Sequence, residues 1–369
     1  MRSFLSKKKT TESYEEKIST EPQATQLCKK YAVSNFSKFV SVQYDERTIY
    51  DIVEELMLIR EKEGAAKYEE AVYQTLQEWI NWNEKEKKGN YSIKVTFSNL
   101  RRFLYHLGIK TSPQDIKENL RFGRRVKEEK HALAKSEYRD IVNGYSKEPI
   151  YQALYLTLGS SGMRVGEAMN VQKMDIDTSL TRWKINIKPL TKTREGRSTF
   201  ISKEAQEKLQ PIIDKLLPQD FVFRKKQNWK DFHSNYQTSF HRLLKRLRLD
   251  KKYTSNGNNK ITTHSFRAFF FTNAARKHGE NYAHKLTGHG GYLMQYDRMT
   301  EDEKLKMYLE LEPELVIFDQ TKNEIEIERL KKENESIEEL RKEVKNLREY
   351  QIKQDKKIVK TLKKDGVIL

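Results

Sequence analysis

Apolar residues recur at helical spacing along most of this chain. From about residue 26 to 122 the spacing predicts helices near 27–42, 49–62, 66–87, 92–107 and 112–121. Their stripes include Ile52, Leu56 and Ile59 in one segment, and Val72, Leu76, Trp79 and Ile80 in another. Ser112-Pro113 opens the last helix as an N-cap followed by proline at the first helical position. Stripes of this kind suit a small bundle with the aromatics inside it, base stacking being their alternative use.

The pattern then changes. Residues 121–140, "RFGRRVKEEKHALAKSEYRD", are basic and poor in apolar positions, and read as a linker, either solvated or lying along a phosphate backbone. Helical spacing returns near 147–159 and 164–170. In "RWKINIKPLTKTREGRSTFIS", Trp183, Ile185 and Ile187 alternate with polar residues, "TKTREG" supplies a turn and "STFIS" resumes an extended pattern, which predicts a β-hairpin. Further helices are expected at 203–217, 233–248, 263–278, 281–288 and 301–312. On the last of these, Leu305, Tyr308, Leu309 and Leu311 form an apolar face suited to a neighbouring protomer or to the chain's own domain. Beyond residue 321 the chain is highly charged and helix-forming. There Leu330, Ile337, Leu340, Val344 and Leu347 follow heptad spacing, as in a coiled coil or a lone solvated helix.

These patterns predict a fold that is mainly α with a small β-sheet. Its parts are a flexible basic arm over 1–25, a helical bundle over 26–122, a mixed α/β domain over 123–318 and a charged helical tail over 319–369.

Charge narrows the partners. The 369 residues carry 71 Lys and Arg against 53 Asp and Glu, a formal net charge of +18, which favours an anionic polymer such as nucleic acid. Mean hydropathy is −0.88, and no stretch approaches the roughly 18 apolar residues of a membrane span. The single cysteine, Cys28, excludes an intrachain disulfide and a zinc-finger pattern, and no His or carboxylate cluster has metal-ligand spacing. The start lacks the apolar run of a signal peptide, so the expectation is a cytoplasmic protein with no metal and no cofactor.

Four short stretches carry candidate chemistry. In "SSGMRVGEAMNV", Arg164 follows a glycine turn at a helix start, where its fork is able to meet a phosphate, with Glu167 three residues on as an ion-pair partner. Lys192 sits at the hairpin tip, as a proton donor or a solubilising charge. In "THSFRAFFFTNAARKHG", His264 and Arg267 share one helix face beside Phe266, Phe269, Phe270 and Phe271. Finally, "LTGHGGYLMQYDRMTEDE" places His289 between glycines, with Tyr292 and Tyr296 beyond it.

The order Arg, Lys, His-x-x-Arg, His, Tyr resembles the tyrosine recombinases, the integrase and site-specific recombinase family. "SGMRVGE" is similar to that family's first arginine box, "TKTREGRSTFIS" to its lysine hairpin with Arg197 five residues after Lys192, "HSFR" and "LTGHGG" to its second and third boxes, and "YDRMTEDE" to its nucleophile segment. The resemblance spans roughly residues 126–318, and the "YDRMTE" ending is most similar to integrases of archaea, the archaeal-type branch, and of some Gram-positive mobile elements. Two departures stand out: the interval from His289 to Tyr296 is shorter than the family usually shows, and Ser161 replaces a common threonine.

The resemblance implies a core-binding bundle, a catalytic domain and a site-specific DNA recombinase that cleaves and rejoins DNA through a 3′-phosphotyrosyl intermediate without metal or ATP. It casts Tyr296 as nucleophile with Tyr292 as the alternative. Arg164 and Arg267 become the phosphate clamp, His289 a further donor, Lys192 the general acid, His264 an aid to proton transfer and Glu167 its support. It implies double-stranded DNA with specific attachment sites as partner, a homotetramer on paired sites, accessory DNA-bending proteins, no membrane, and action at the nucleoid of a prokaryotic host. The competing functions are a type IB topoisomerase and a non-catalytic DNA-binding protein on the same scaffold.

Overall fold

The computed structural model describes residues 9–124, 128–189, 196–224, 229–288 and 298–364, with backbone alone for 229–233 and 358–364. The chain divides into two compact units, Met1–Glu128 and Glu129–Leu369.

The first unit holds helices α1 (Thr11–Ile18), α2 (Gln23–Gln43), α3 (Ile49–Lys62), α4 (Ala65–Lys85), α5 (Asn90–Leu107) and α6 (Pro113–Asn119). The expected stripes form its interior: Val72, Leu76, Trp79 and Ile80 on α4 are all at most 3% exposed. The Trp79 indole N–H donates to Asn35 Oδ1 at 2.9 Å, which satisfies the one polar atom that this ring would otherwise bury unpaired. α3 begins at Thr48, whose hydroxyl accepts from the Asp51 N–H while Asp51 accepts from the Thr48 N–H, a reciprocal capping box.

Over Thr11–Ile18 helix α1 corrects the expectation of a flexible arm over 1–25, of which residues 1–8 lie outside the described residues. Thr10 caps it, Tyr14 and Ile18 bury against the bundle, and the Tyr14 ring meets Phe103 edge-on with centroids 5.2 Å apart. Ser13 Oγ also pairs with His106 Nε2 at 2.8 Å. Two apolar residues on eight positions are too few to register as a periodic stripe, although tertiary contacts suffice to hold the helix.

The second unit contains α7 (Lys135–Asn143), α8 (Pro149–Ser161), α9 (Val165–Ala168), a 3₁₀ turn at Lys173–Asp175, and strands β1 (Ile176–Asp177), β2 (Lys184–Ile187) and β3 (Arg197–Phe200). Helices α10 (Lys203–Ile213), α11 (Trp229–Arg246), α12 (Thr263–His278), α13 (Glu280–Thr287), α14 (Glu301–Leu315) and α15 (Asp319–Lys364) follow. The sheet is antiparallel in the order β1-β2-β3, with Lys184 opposite Phe200 and Ile187 opposite Arg197. The hairpin pattern thus produced two paired strands, whereas the two-residue β1 is too short to show alternation in sequence.

Helix α7 corrects the linker reading of 121–140 at its C-terminal end. Tyr138, Ile141 and Val142 enter the core, and the Tyr138 hydroxyl donates to the Tyr155 carbonyl at 2.8 Å. Helix α8 is buried on nearly every side and forms the spine of this unit. Helix α14 docks on its own unit. Tyr308 and Leu311 are fully buried, Tyr308 donates to the Ser160 carbonyl at 2.8 Å, and the Arg182 Nε–H is shared by both carboxylate oxygens of Glu312 at 2.7 Å. Of the two destinations open to that apolar face, the fold shows the chain's own domain.

Candidate active site

Two glycine turns organise the candidate site. Helix α8 ends at Gly162 with φ of 65°, and α13 ends at Gly288 with φ of 66°, left-handed conformations that glycine adopts without the penalty a side chain brings. Both turns are also sterically closed to anything larger. A Cβ on Gly162 would lie 2.4 Å from the Phe270 ring, and one on Gly288 would lie 2.8 Å from an Arg197 guanidinium nitrogen.

Arg164 follows the first turn and is the residue that starts α9. Its backbone N–H donates to Glu167 Oε2 and its guanidinium to Glu167 Oε1, each at 2.8 Å. The i,i+3 ion pair read from the sequence is therefore present, while the Arg164 side chain keeps 29% of its surface exposed and Glu167 keeps none. A buried carboxylate thus fixes a guanidinium that still faces solvent.

Glu167 has a second cation. Arg197, on β3, donates to Glu167 at 2.6 and 3.1 Å, and its Nε–H donates to the Leu286 carbonyl at 2.9 Å. Burial pushes the Glu167 carboxyl up, but the hydrogen bonds and charges of Arg197 and Arg164 outweigh this and leave it below the usual carboxylate range. Arg197 was noted from sequence only for its distance from Lys192. Its value lies in joining β3, the Arg164 turn and the end of α13, a link between positions 30 and 89 residues apart.

Arg267 lies on α12, which begins where the Thr262 N–H donates to Ser265 Oγ at 3.0 Å. It is only 2% exposed. One terminal nitrogen donates to the Gly162 carbonyl and the other to the Thr287 carbonyl, both at 2.5 Å, so the guanidinium ties the two glycine turns together. Burial, and then the neighbouring positive charge of Arg164, push Arg267 down to about 9, which still leaves it protonated at neutral pH.

His264 sits one helical turn earlier on α12 and is solvent-accessible. Partial desolvation of the ring, followed by the charges of Arg267 and Arg164, lowers its pKa below the usual histidine range, so the imidazole is neutral at pH 7. Three guanidiniums around one carboxylate leave this neighbourhood net positive, the electrostatic requirement for holding an oxyanion.

The structure therefore brings Arg164, Glu167, His264 and Arg267 into one electrostatic neighbourhood and adds Arg197 to it. Lys192, His289, Tyr292 and Tyr296 lie outside the described residues. The described chain does reach the last residue before His289 and resumes at Arg298. Among the described residues no group of three or more His, Cys, Asp or Glu is placed to hold a metal ion, and no helix is long and apolar enough to cross a membrane.

Comparison with known proteins finds the following similarities. Residues 131–294 match the phage integrase family. Among solved structures, XerA recombinase is 19% identical with a TM-score of 0.37, covering 76% of this chain and 98% of its own. The Tn1549 transposon integrase in complex with transposon right end DNA is 17% identical with a TM-score of 0.47, covering 74% and 97%. A lambda integrase dimer bound to a COC' core site is 16% identical with a TM-score of 0.46, covering 79% and 97%. No curated protein matches the chain. Residues 131–294, which contain every candidate site residue except Tyr296, are thus similar to the phage integrase family, in accord with the tyrosine-recombinase motifs of the sequence.

Proposed function

We propose that this protein is a site-specific DNA recombinase that cuts and rejoins double-stranded DNA through a covalent 3′-phosphotyrosyl intermediate. The observation that carries the reading is the cluster in which Arg267 fastens two glycine turns while Glu167 holds Arg164 toward solvent. Such a cluster is preorganised before substrate arrives, which is what electrostatic stabilisation of a transition state requires.

In the proposed reaction, the Tyr296 oxygen attacks phosphorus, and the 5′ oxygen of the next nucleotide leaves as a hydroxyl. Negative charge grows on the nonbridging oxygens, where Arg164, Arg267 and His289 donate. Lys192 protonates the leaving oxygen, and neutral His264 is able to accept the tyrosine proton. Reversal by a 5′-hydroxyl from another strand reseals the DNA, and the phosphotyrosyl bond conserves the energy so that ATP is not consumed. Exchange between two duplexes calls for several such sites, hence a homotetramer on paired attachment sites, with DNA-bending proteins as candidate accessories. Such a reaction belongs where the DNA is, at the nucleoid of a prokaryotic cell. The division of labour proposed for the chain is a basic segment before α1, a core-binding bundle, a catalytic domain beginning near residue 123, and an appended helical tail.

The test is a suicide substrate, a randomised duplex library nicked so that the leaving strand diffuses away. The wild type is expected to form a denaturation-resistant protein–DNA adduct, and Tyr296→Phe to lose it while keeping gel-shift affinity within a few fold. Relaxation of site-free supercoiled plasmid would favour the topoisomerase reading instead. Absence of any wild-type adduct would favour a non-catalytic binder.

A further inference from the structure

Helix α15 runs unbroken from Asp319 to Lys364, and among the described residues only its start is buried in the fold. Thr321 and Ile325 are buried, and Lys203 pairs with Glu324 and Glu328 at 3.0 Å, which docks the first turns on the second unit. From residue 326 to 353 every residue is exposed. A solvated helix has no need of an apolar seam, yet Ile337, Leu340, Val344 and Leu347 form one, with Leu330 a heptad earlier beyond Glu333, and these five apolar residues are 41–61% exposed. In folded proteins most helical stability comes from packing an apolar face rather than from propensity, so an exposed apolar face on this helix calls for a partner.

The seam itself says which partner. Placing Leu330 at heptad position a puts Ile337 and Val344 at a, Leu340 and Leu347 at d, and Glu333 at the d position of the first heptad, so the uninterrupted apolar layers run from Ile337 to Leu347. β-branched residues at a with leucine at d pack best in a parallel two-stranded coiled coil. The flanking charges agree. Position g holds Glu343 and the following e holds Arg348, which face each other across a parallel, in-register pair. An antiparallel pair would instead bring e against e, setting Arg341 and Arg348 of one chain against the same arginines of the other, a like-charge arrangement that opposes association. The seam ends in polar layers at Gln351 and Gln354, which fix register at some cost in stability.

We infer that α15 is a self-association device, pairing two copies of this chain through a parallel, in-register coiled coil over about residues 330–354, in the absence of DNA. The inference is independent of the proposed chemistry, because it requires neither a DNA site nor a reactive tyrosine.

Light scattering on the full-length chain, DNA-free and at micromolar concentration, tests it. The expected mass is twice 43.9 kDa. Val344→Asp, which places a charge in the seam, is expected to return the mass to that of one chain, and Ile352→Asp, an exposed position off the seam, to leave the dimer intact. Because both positions are solvent-exposed, neither change threatens the fold. A monomeric wild type, or a dimer indifferent to Val344→Asp, overturns the proposal. Orientation is read by Leu347→Cys in a Cys28→Ser background. Leu347 lies away from the seam's centre, so oxidation links the two copies only if they run parallel and in register. A dimer that fails to cross-link overturns the parallel arrangement.

Discussion

Replacing Glu167 by glutamine tests the internal logic of the site. The carboxylate is fully buried between Arg197, whose side chain is 8% exposed, and Arg164, at 29%. Removing one member of a buried ion pair strands the other's charge and costs about 3 to 5 kcal/mol. Glutamine keeps one acceptor oxygen, so the lower end applies, about 3 kcal/mol. Hydrogen exchange read by mass spectrometry separates the two units, and peptides spanning 149–168 and 263–288 report the site. At 1.4 kcal/mol per tenfold, their exchange is expected to accelerate on the order of 100-fold while the helical bundle is unchanged. Arg164→Gln breaks the partly exposed arm of the same network and is expected to cost at most about 1 kcal/mol, under tenfold in exchange. The Glu167→Gln/Arg197→Gln double variant should cost less than the sum of its singles, because the stranded charge is gone. If Glu167→Gln leaves exchange within about threefold of wild type, or if Arg164→Gln matches it, the carboxylate is not the fastener described here.

Two further outcomes follow from the geometry. Gly288→Ala incurs the left-handed strain of about 1–2 kcal/mol and also displaces Arg197, whereas Gly257→Ala, with φ of 67° and nothing within 4 Å of the added Cβ, incurs strain alone; equal loss of stability in the two variants would show that Arg197 does not occupy the space under Gly288. Glu204, which accepts the Ile317 and Phe318 N–H groups, is raised by burial to about 7 against those hydrogen bonds. Its folded pKa exceeds the unfolded 4.5, so its contribution is fully present below pH 4.5 and is lost as pH rises through 7, a change on the order of 3 kcal/mol. Thermal unfolding of wild type and Glu204→Gln at pH 5 and pH 8 should therefore show a smaller pH dependence in the variant, and parallel curves would refute the assignment.

The helices with strong stripes were legible residue by residue. Those expected at 49–62 and 263–278 coincide with α3 and α12. The arginine boxes were legible as motifs because glycine turns beside charged residues are locally distinctive. What sequence concealed was relational. Helix α1 has two core residues and α7 three, inside segments dominated by lysine and glutamate, and only their tertiary partners reveal them. Arg197 looked like a charge near a hairpin because its partners, Glu167 and the Leu286 carbonyl, are remote in sequence. Arg267 was expected as a phosphate clamp, and sequence contained no sign that it also donates to the carbonyls of Gly162 and Thr287. The heptad seam, by contrast, was visible at once, and the structure adds that nothing within the described chain covers it.

The central claim is that a tyrosine of this chain becomes covalently attached to DNA. Digesting the trapped wild-type adduct with protease and nuclease, then mapping the nucleotide-bearing peptide by mass spectrometry, tests it most directly. The expected result is a 3′-nucleotide on Tyr296 and an unmodified Tyr292. A nucleotide on Tyr292 would reassign the nucleophile, and a wild-type protein that bears no nucleotide on any tyrosine would rule out covalent catalysis by this chain.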